Sequence, residues 1–125
     1  MKKAEFPKIL VVDDEAIVRE VLEEFLSLMD FQTVNANDGF AGIQALESST
    51  YCAAFADIRM PGMDGIGFLK QSRRIRPDLP VIIITGHGCD DTQEAALAAG
   101  AFAFIRKPFR YHQIKEILDK ILPND

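Results

Sequence analysis

Positive charge is in short supply in this sequence. There are 14 lysines and arginines against 19 acidic side chains, a net charge of −5 and a pI near 5.0. A chain with that balance repels nucleic acid phosphates, so no direct binding of DNA or RNA is expected. Long apolar runs are missing too. The β-branched run Val81–Ile84 is far below the roughly 20 residues of a membrane-spanning helix, and no membrane association is expected. The amino end, MKKAEFPK, has lysines but no apolar h-region after them, which argues against a secretory signal. Cysteine is scarce. Cys52 and Cys89 form neither a metal-binding spacing nor a disulfide framework, so a reducing, cytoplasmic setting is expected.

What is present describes a folded chain. Its 125 residues suit one domain, 1–125, and 48% hydrophobic with 26% charged residues argues for a packed core. Five short apolar runs alternate with five helix-compatible stretches. Lys8–Val12 has the near-continuous apolar character of a strand covered on both faces. Between Glu15 and Met29, Val18, Val21, Leu22, Phe25, Leu26 and Met29 recur at helical spacing. Phe31–Ala36 reads as a strand, and Asp38 as the cap of a helix running to about Leu46. Tyr51–Ala56 is the third strand, and a helix from about Ile66 to Ile75 stops ahead of Arg76-Pro77. Val81–Ile84, a helix over Asp91–Ala99 closed by Gly100, the strand Phe102–Ile105 and a final helix striped by Ile114, Ile117, Leu118 and Ile121 complete the series.

Strict alternation of this kind implies an α/β fold with helices on both faces of a parallel sheet, joined right-handedly. Five units suit a doubly wound, flavodoxin-like sheet of order 2-1-3-4-5 with five helices, in which ligands sit beyond the carboxyl ends of the strands. At those ends stand Asp13-Asp14, Asp57, Thr85-Gly86 and Lys107-Pro108. Three carboxylates, one hydroxyl and one ammonium thus converge on one edge. Crowded carboxylates repel unless something positive sits among them. A hard divalent cation such as Mg²⁺ answers that need while keeping waters for a phosphate to replace. A carboxylate can itself be the nucleophile, so the set suits phosphoryl transfer to an aspartate, with Asp57 as the central acceptor.

The set Asp13-Asp14, the loop D-I-R-M-P-G-M-D-G from Asp57 to Gly65, Thr85-Gly86 and Lys107-Pro108-Phe109 resembles the receiver domain of bacterial two-component response regulators, over about residues 6–122. The resemblance implies that Asp57 is the phosphoacceptor in a phosphorelay. It implies that Asp14 ligates Mg²⁺ (or Mn²⁺) directly and Asp13 mainly through water, joined by Asp57 and the backbone carbonyl of Arg59. Thr85 would hydrogen-bond the phosphoryl group, Lys107 would pair with it, and the Lys107-Pro108 bond would be cis. Phe104 falls on the aromatic switch position, where many relatives have tyrosine, so this chain would signal by burial of the ring alone. Arg59 and His87 match the positions that tune phosphoryl lifetime. The implied partners are a sensor histidine kinase or phosphotransfer protein, and a second copy of the chain in a homodimer through the fourth helix, fifth strand and fifth helix. No turnover of an external substrate is implied, and the chain is expected to be a stand-alone receiver or the first domain of a longer protein.

Other readings fit the residues less well. A Mg²⁺-dependent phosphatase with an aspartate nucleophile normally needs a second aspartate two positions on, and Arg59 stands there. A nucleotide- or flavin-binding module would want a glycine-rich loop after the first strand, where this chain has Asp13-Asp14-Glu15. A phosphorylation-independent interaction module would normally lose part of the acidic set or the lysine. Asp64 is assigned to helix capping rather than metal binding, and His87 and His112 lie on separate segments with no cysteine cluster to complete a metal site.

Overall fold

The computed structural model of the chain describes residues 7–86 and 90–122. The apolar runs form strands β1 (Lys8–Val12), β2 (Gln32–Ala36), β3 (Ala53–Asp57), β4 (Val81–Thr85) and β5 (Ala103–Arg106). Between and after them lie helices α1 (Ala16–Leu28), α2 (Gly39–Ser48), α3 (Gly65–Ile75), α4 (Asp90–Ala98) and α5 (Tyr111–Ile121). All four strand pairings are parallel and the order is β2-β1-β3-β4-β5, as the alternation predicts.

Successive side chains of a strand point to opposite faces, so each central strand feeds two cores. Leu10, Val12, Ala54, Ala56 and Ile83 pack under α2, α3 and α4, against residues such as Leu46, Phe68, Leu69 and Ala96. Ile9, Val11, Phe55, Ile82 and Ile84 pack under α1 and α5, against Leu22, Leu26, Ile114 and Leu118. Burial on both faces is what demands the unbroken apolar strands β3 and β4.

Three boundaries shift from the sequence expectation, each for a local reason. Phe31 belongs to the closing turn of α1, because its N–H bonds back to the Leu26 carbonyl at 2.9 Å while Asp30 takes a left-handed φ of 65°. β2 therefore starts one residue later. Gly100, at φ 105°, closes α4 as expected of a C′ glycine, and the Ala101 N–H bonds to the Ala96 carbonyl. That turn delays β5 to Ala103. Tyr51 and Cys52 lead into β3, whose pairing with β1 begins at Ala53 opposite Ile9. Two predicted caps hold: Asp38 accepts from the Ala41 N–H and Asp64 from the Gly67 N–H, both at 2.8 Å.

Candidate functional site

Register brings the chemistry together. Val12 lies opposite Ala56 and Asp57 opposite Ile84, so Asp13 and Asp57 leave neighbouring strands at the same level. Asp13, Asp14 and Asp57 each offer a carboxylate oxygen, all within 4.8 Å of one another. Asp13 and Asp57 are buried while Asp14 is exposed. Lys107, just past β5, reaches back across the sheet edge. Its Nζ lies 3.3 Å from Asp57 Oδ2 and 3.6 Å from Asp13 Oδ2. The Lys107-Pro108 peptide is cis, as expected.

Burial is the main influence on the acids. It pushes Asp13 up to about 6; the Glu15 N–H, donating to Asp13 Oδ1 at 2.9 Å, opposes the rise, and the Asp57 charge adds to it. Asp57 also moves up through burial, held back by Lys107 and by the Arg59 N–H. Burial alone would lower Lys107, but its contacts with Glu15, Asp13 and Asp57 outweigh that and raise it.

A divalent cation fits this set. Three carboxylates share a space that one ammonium only partly neutralises, and Asp13 Oδ2 is buried without a hydrogen-bond partner. An exposed Asp14 beside two buried acids leaves one side open to water, as a partly hydrated hard cation requires. The donor set is all oxygen.

Thr85 and Phe104 lie on the adjoining strands β4 and β5. Ile83 lies on the α2, α3 and α4 face and Ile84 on the other, so alternation returns Thr85 to the first face, where Phe104 also packs. By the same rule Asp57, next after Ala56, falls on the α1 and α5 face. Thr85 is fully buried, and its carbonyl accepts from the Lys107 N–H at 2.7 Å. The Arg59 side chain is exposed, with its N–H 3.5 Å from Asp57 Oδ1. His87 and Cys89 lie outside the described residues.

Two members of the site escaped the sequence reading. Glu15 Oε1 is the nearest acid to Lys107 Nζ, at 2.8 Å. Arg19 donates to the Asp13 carbonyl at 2.7 Å and so braces the turn between β1 and α1. Glu15 extends the acidic pair Asp13-Asp14, and Arg19 stands on the first turns of the helix that follows. Those neighbours were the available signal.

An acidic cluster and a lysine at the carboxyl edge of a 2-1-3-4-5 sheet define the class of the protein, and comparison with known proteins agrees. Residues 9–119 match the response regulator receiver domain, and the chain belongs to that family. It is 38% identical over 112 residues to the DNA-binding transcriptional regulator NtrC of Escherichia coli K12, covering 90% of this chain and 24% of that protein. The chain therefore spans about a quarter of the length of the NtrC relatives it matches. It is 33% identical to sporulation initiation phosphotransferase F of Bacillus subtilis, covering 93% of this chain and 94% of that one. Among solved structures, the receiver domain of NtrX from Brucella abortus superposes with a TM-score of 0.86 at 33% identity, over 94% of this chain and 99% of that one. Receiver domains act in two-component signalling and are not themselves a family of catalytic enzymes. Among the described residues, no helix is long and apolar enough to cross a membrane.

Proposed function

We propose that this chain is a phosphoacceptor whose Asp57 takes a phosphoryl group from a phosphohistidine on a sensor histidine kinase or phosphotransfer protein. An Asp57 carboxylate oxygen attacks phosphorus, a P–O bond forms as the P–N bond breaks, and the imidazole departs with the electron pair. The observation that carries this reading is the meeting of the Asp13, Asp14 and Asp57 carboxylates within 4.8 Å of one another, with Lys107 in ion-pair reach of Asp57, at the sheet edge. Asp14 would hold Mg²⁺ or Mn²⁺ directly and Asp13 mainly through water, with Asp57 and the Arg59 carbonyl completing the protein's share. When bound, the ion neutralises charge on the transferring phosphoryl oxygens. Lys107 would pair with the phosphoryl group, and Thr85 would donate its hydroxyl to it. Movement of Thr85 toward phospho-Asp57 leaves space into which Phe104 folds, reshaping α4, β5 and α5 for a partner or a second copy. Arg59 and His87 tune the lifetime of the phosphoryl group. Residues 1–125 form a single receiver domain that works in the cytoplasm, alone or as part of a longer protein, and catalyses its own phosphorylation and dephosphorylation without turnover of an external substrate.

Incubation with acetyl phosphate and Mg²⁺ tests the reading. One acid-labile phosphoryl group on Asp57, absent from Asp57→Asn and in EDTA, is expected. Continuous release of phosphate would indicate a phosphatase, and an unmodified chain would overturn the assignment.

A further inference from the structure

Phe104 has no hydroxyl, so only packing and the groups that face its ring can hold it in one orientation. It is half-buried on β5, beside Ile83 of β4, on the face covered by α2, α3 and α4. Arg106 is two residues further along the same strand and so shares that face. Its guanidinium carbon lies over the Phe104 ring, 5.9 Å from the centroid and within the reach of a cation–ring attraction. The β4–β5 register pairs the same Arg106 with Thr85. One exposed cation therefore neighbours both residues whose movement the proposed switch requires.

We propose that Arg106 is a positioning residue for the switch, holding the Phe104 ring in its resting orientation through the charge it lays over the ring. The chemistry suits arginine. Its planar, weakly hydrated guanidinium stacks on aromatic faces better than an ammonium does. The strand end that carries it is also tied to Thr85, because the next residue, Lys107, donates its N–H to the Thr85 carbonyl. A Thr85 displacement is thereby felt where the cation is anchored. The consequence for signalling rests on the reading of Asp57 as phosphoacceptor, whereas the contact itself belongs to the unmodified chain.

The test reads the orientation of Phe104 in the unmodified 125-residue chain. Its aromatic and three-bond coupling signals, assigned by their loss in Phe104→Leu, report the side-chain rotamer populations by NMR. Arg106→Gln and Arg106→Met should each shift the rotamer ratio by about two- to five-fold, the size of an exposed cation–ring contact. Arg106→Lys should restore a substantial part of it, and high salt should weaken the wild-type preference. A wild-type ratio in Arg106→Met would show that the stem packs while the charge does nothing, and would overturn the proposal. An unchanged ratio in Arg106→Gln would overturn it equally. Acetyl phosphate with Mg²⁺ is then added to the same samples. Failure of Asp57 to be modified would count against the phosphoacceptor reading, while the rotamer ratios already decide the role of Arg106.

Discussion

Asp13 is a carboxyl that the fold would prefer neutral. Burial carries it from an ordinary 3.8 to about 6, and the same cause raises Asp57. A raised acid favours the folded state while it is protonated. In the metal-free chain that contribution is complete below the unfolded value of 3.8 and is lost as pH rises through about 6. For Asp13 the loss is about 3 kcal/mol. Lys107 does not oppose the trend, because its own raised value keeps it charged throughout that range. Urea unfolding in EDTA should therefore show a stability that falls from about pH 4 to about pH 6.5. Added Mg²⁺ should restore much of it at the higher pH and little at the lower, since protons and cation compete for the same oxygens. Asp13→Asn should flatten the slope and blunt the Mg²⁺ response. A metal-free stability that rises across this range would refute the argument. At this scale Asp13, Asp14, Asp57 and Lys107 were readable, because strand ends in a parallel sheet share an edge. Glu15 was not, because its contact with Lys107 depends on how α1 leaves β1, and no pattern of residue types encodes that angle.

The elements hold the acidic loop in place by close backbone approach. A Cβ added to Gly65, the first residue of α3, would sit 2.4 Å from the Asp57 carbonyl oxygen and 2.8 Å from the Ile58 Cα. Neither atom can swing away as a side-chain end could. Gly65→Ala should cost about 1–3 kcal/mol and push the Asp57 backbone off the sheet edge, slowing its phosphorylation. Gly67→Ala, two residues into the helix, would meet only the Met63 Cγ and Asp64 Oδ1 at 3.2–3.3 Å, and should be much milder. Equal effects from the two variants, measured by denaturation and by acetyl phosphate labelling, would remove the argument for close approach. Asp64 belongs to the same helix start. Asp64→Ala should cost about 1 kcal/mol through the lost cap while leaving Mg²⁺ affinity essentially unchanged. A clear fall in that affinity would instead make Asp64 part of the metal site. The caps Asp38 and Asp64 and the closing Gly100 were legible because a cap is a local bond made by one residue type. The starts of β2 and β5 were less so, because Phe31, which looks like a strand residue in the sequence, is used by the closing turn of α1, and the turn that closes α4 runs through Ala101 and leaves Phe102 ahead of β5.

Across the whole molecule, the place where a phosphoryl group would be received and the place where its arrival would be read meet at one edge of the sheet. By alternation along the strands Asp57 falls on the face of α1 and α5, whereas Thr85 falls with Phe104 on the face of α2, α3 and α4. On the proposed reading a signal passes from one face to the other at the sheet edge, where Thr85 is fully buried at the end of β4. Hydrogen bonds to a charged group contribute about 1.5–3 kcal/mol each, so a new contact from Thr85, with the strengthening of the contact that Lys107 already makes to Asp57, supplies at most about 3–6 kcal/mol. Moving a two-state equilibrium from 1:99 to 99:1 needs about 5.5 kcal/mol. Both contacts are required, and the loss of either should leave the switch incomplete. Thr85→Ala should thus still accept phosphate on Asp57 while its ratio of switched to resting chains falls about ten- to hundred-fold. Thr85→Ser, which keeps the hydroxyl, should recover most of the response. Amide NMR shifts along β5 and α5, recorded before and after acetyl phosphate with Mg²⁺, measure that ratio. A phosphorylated Thr85→Ala chain that shifts as fully as the wild type would mean that the signal crosses the sheet without this hydroxyl, and the route through Lys107 and the β5 backbone would have to carry it alone.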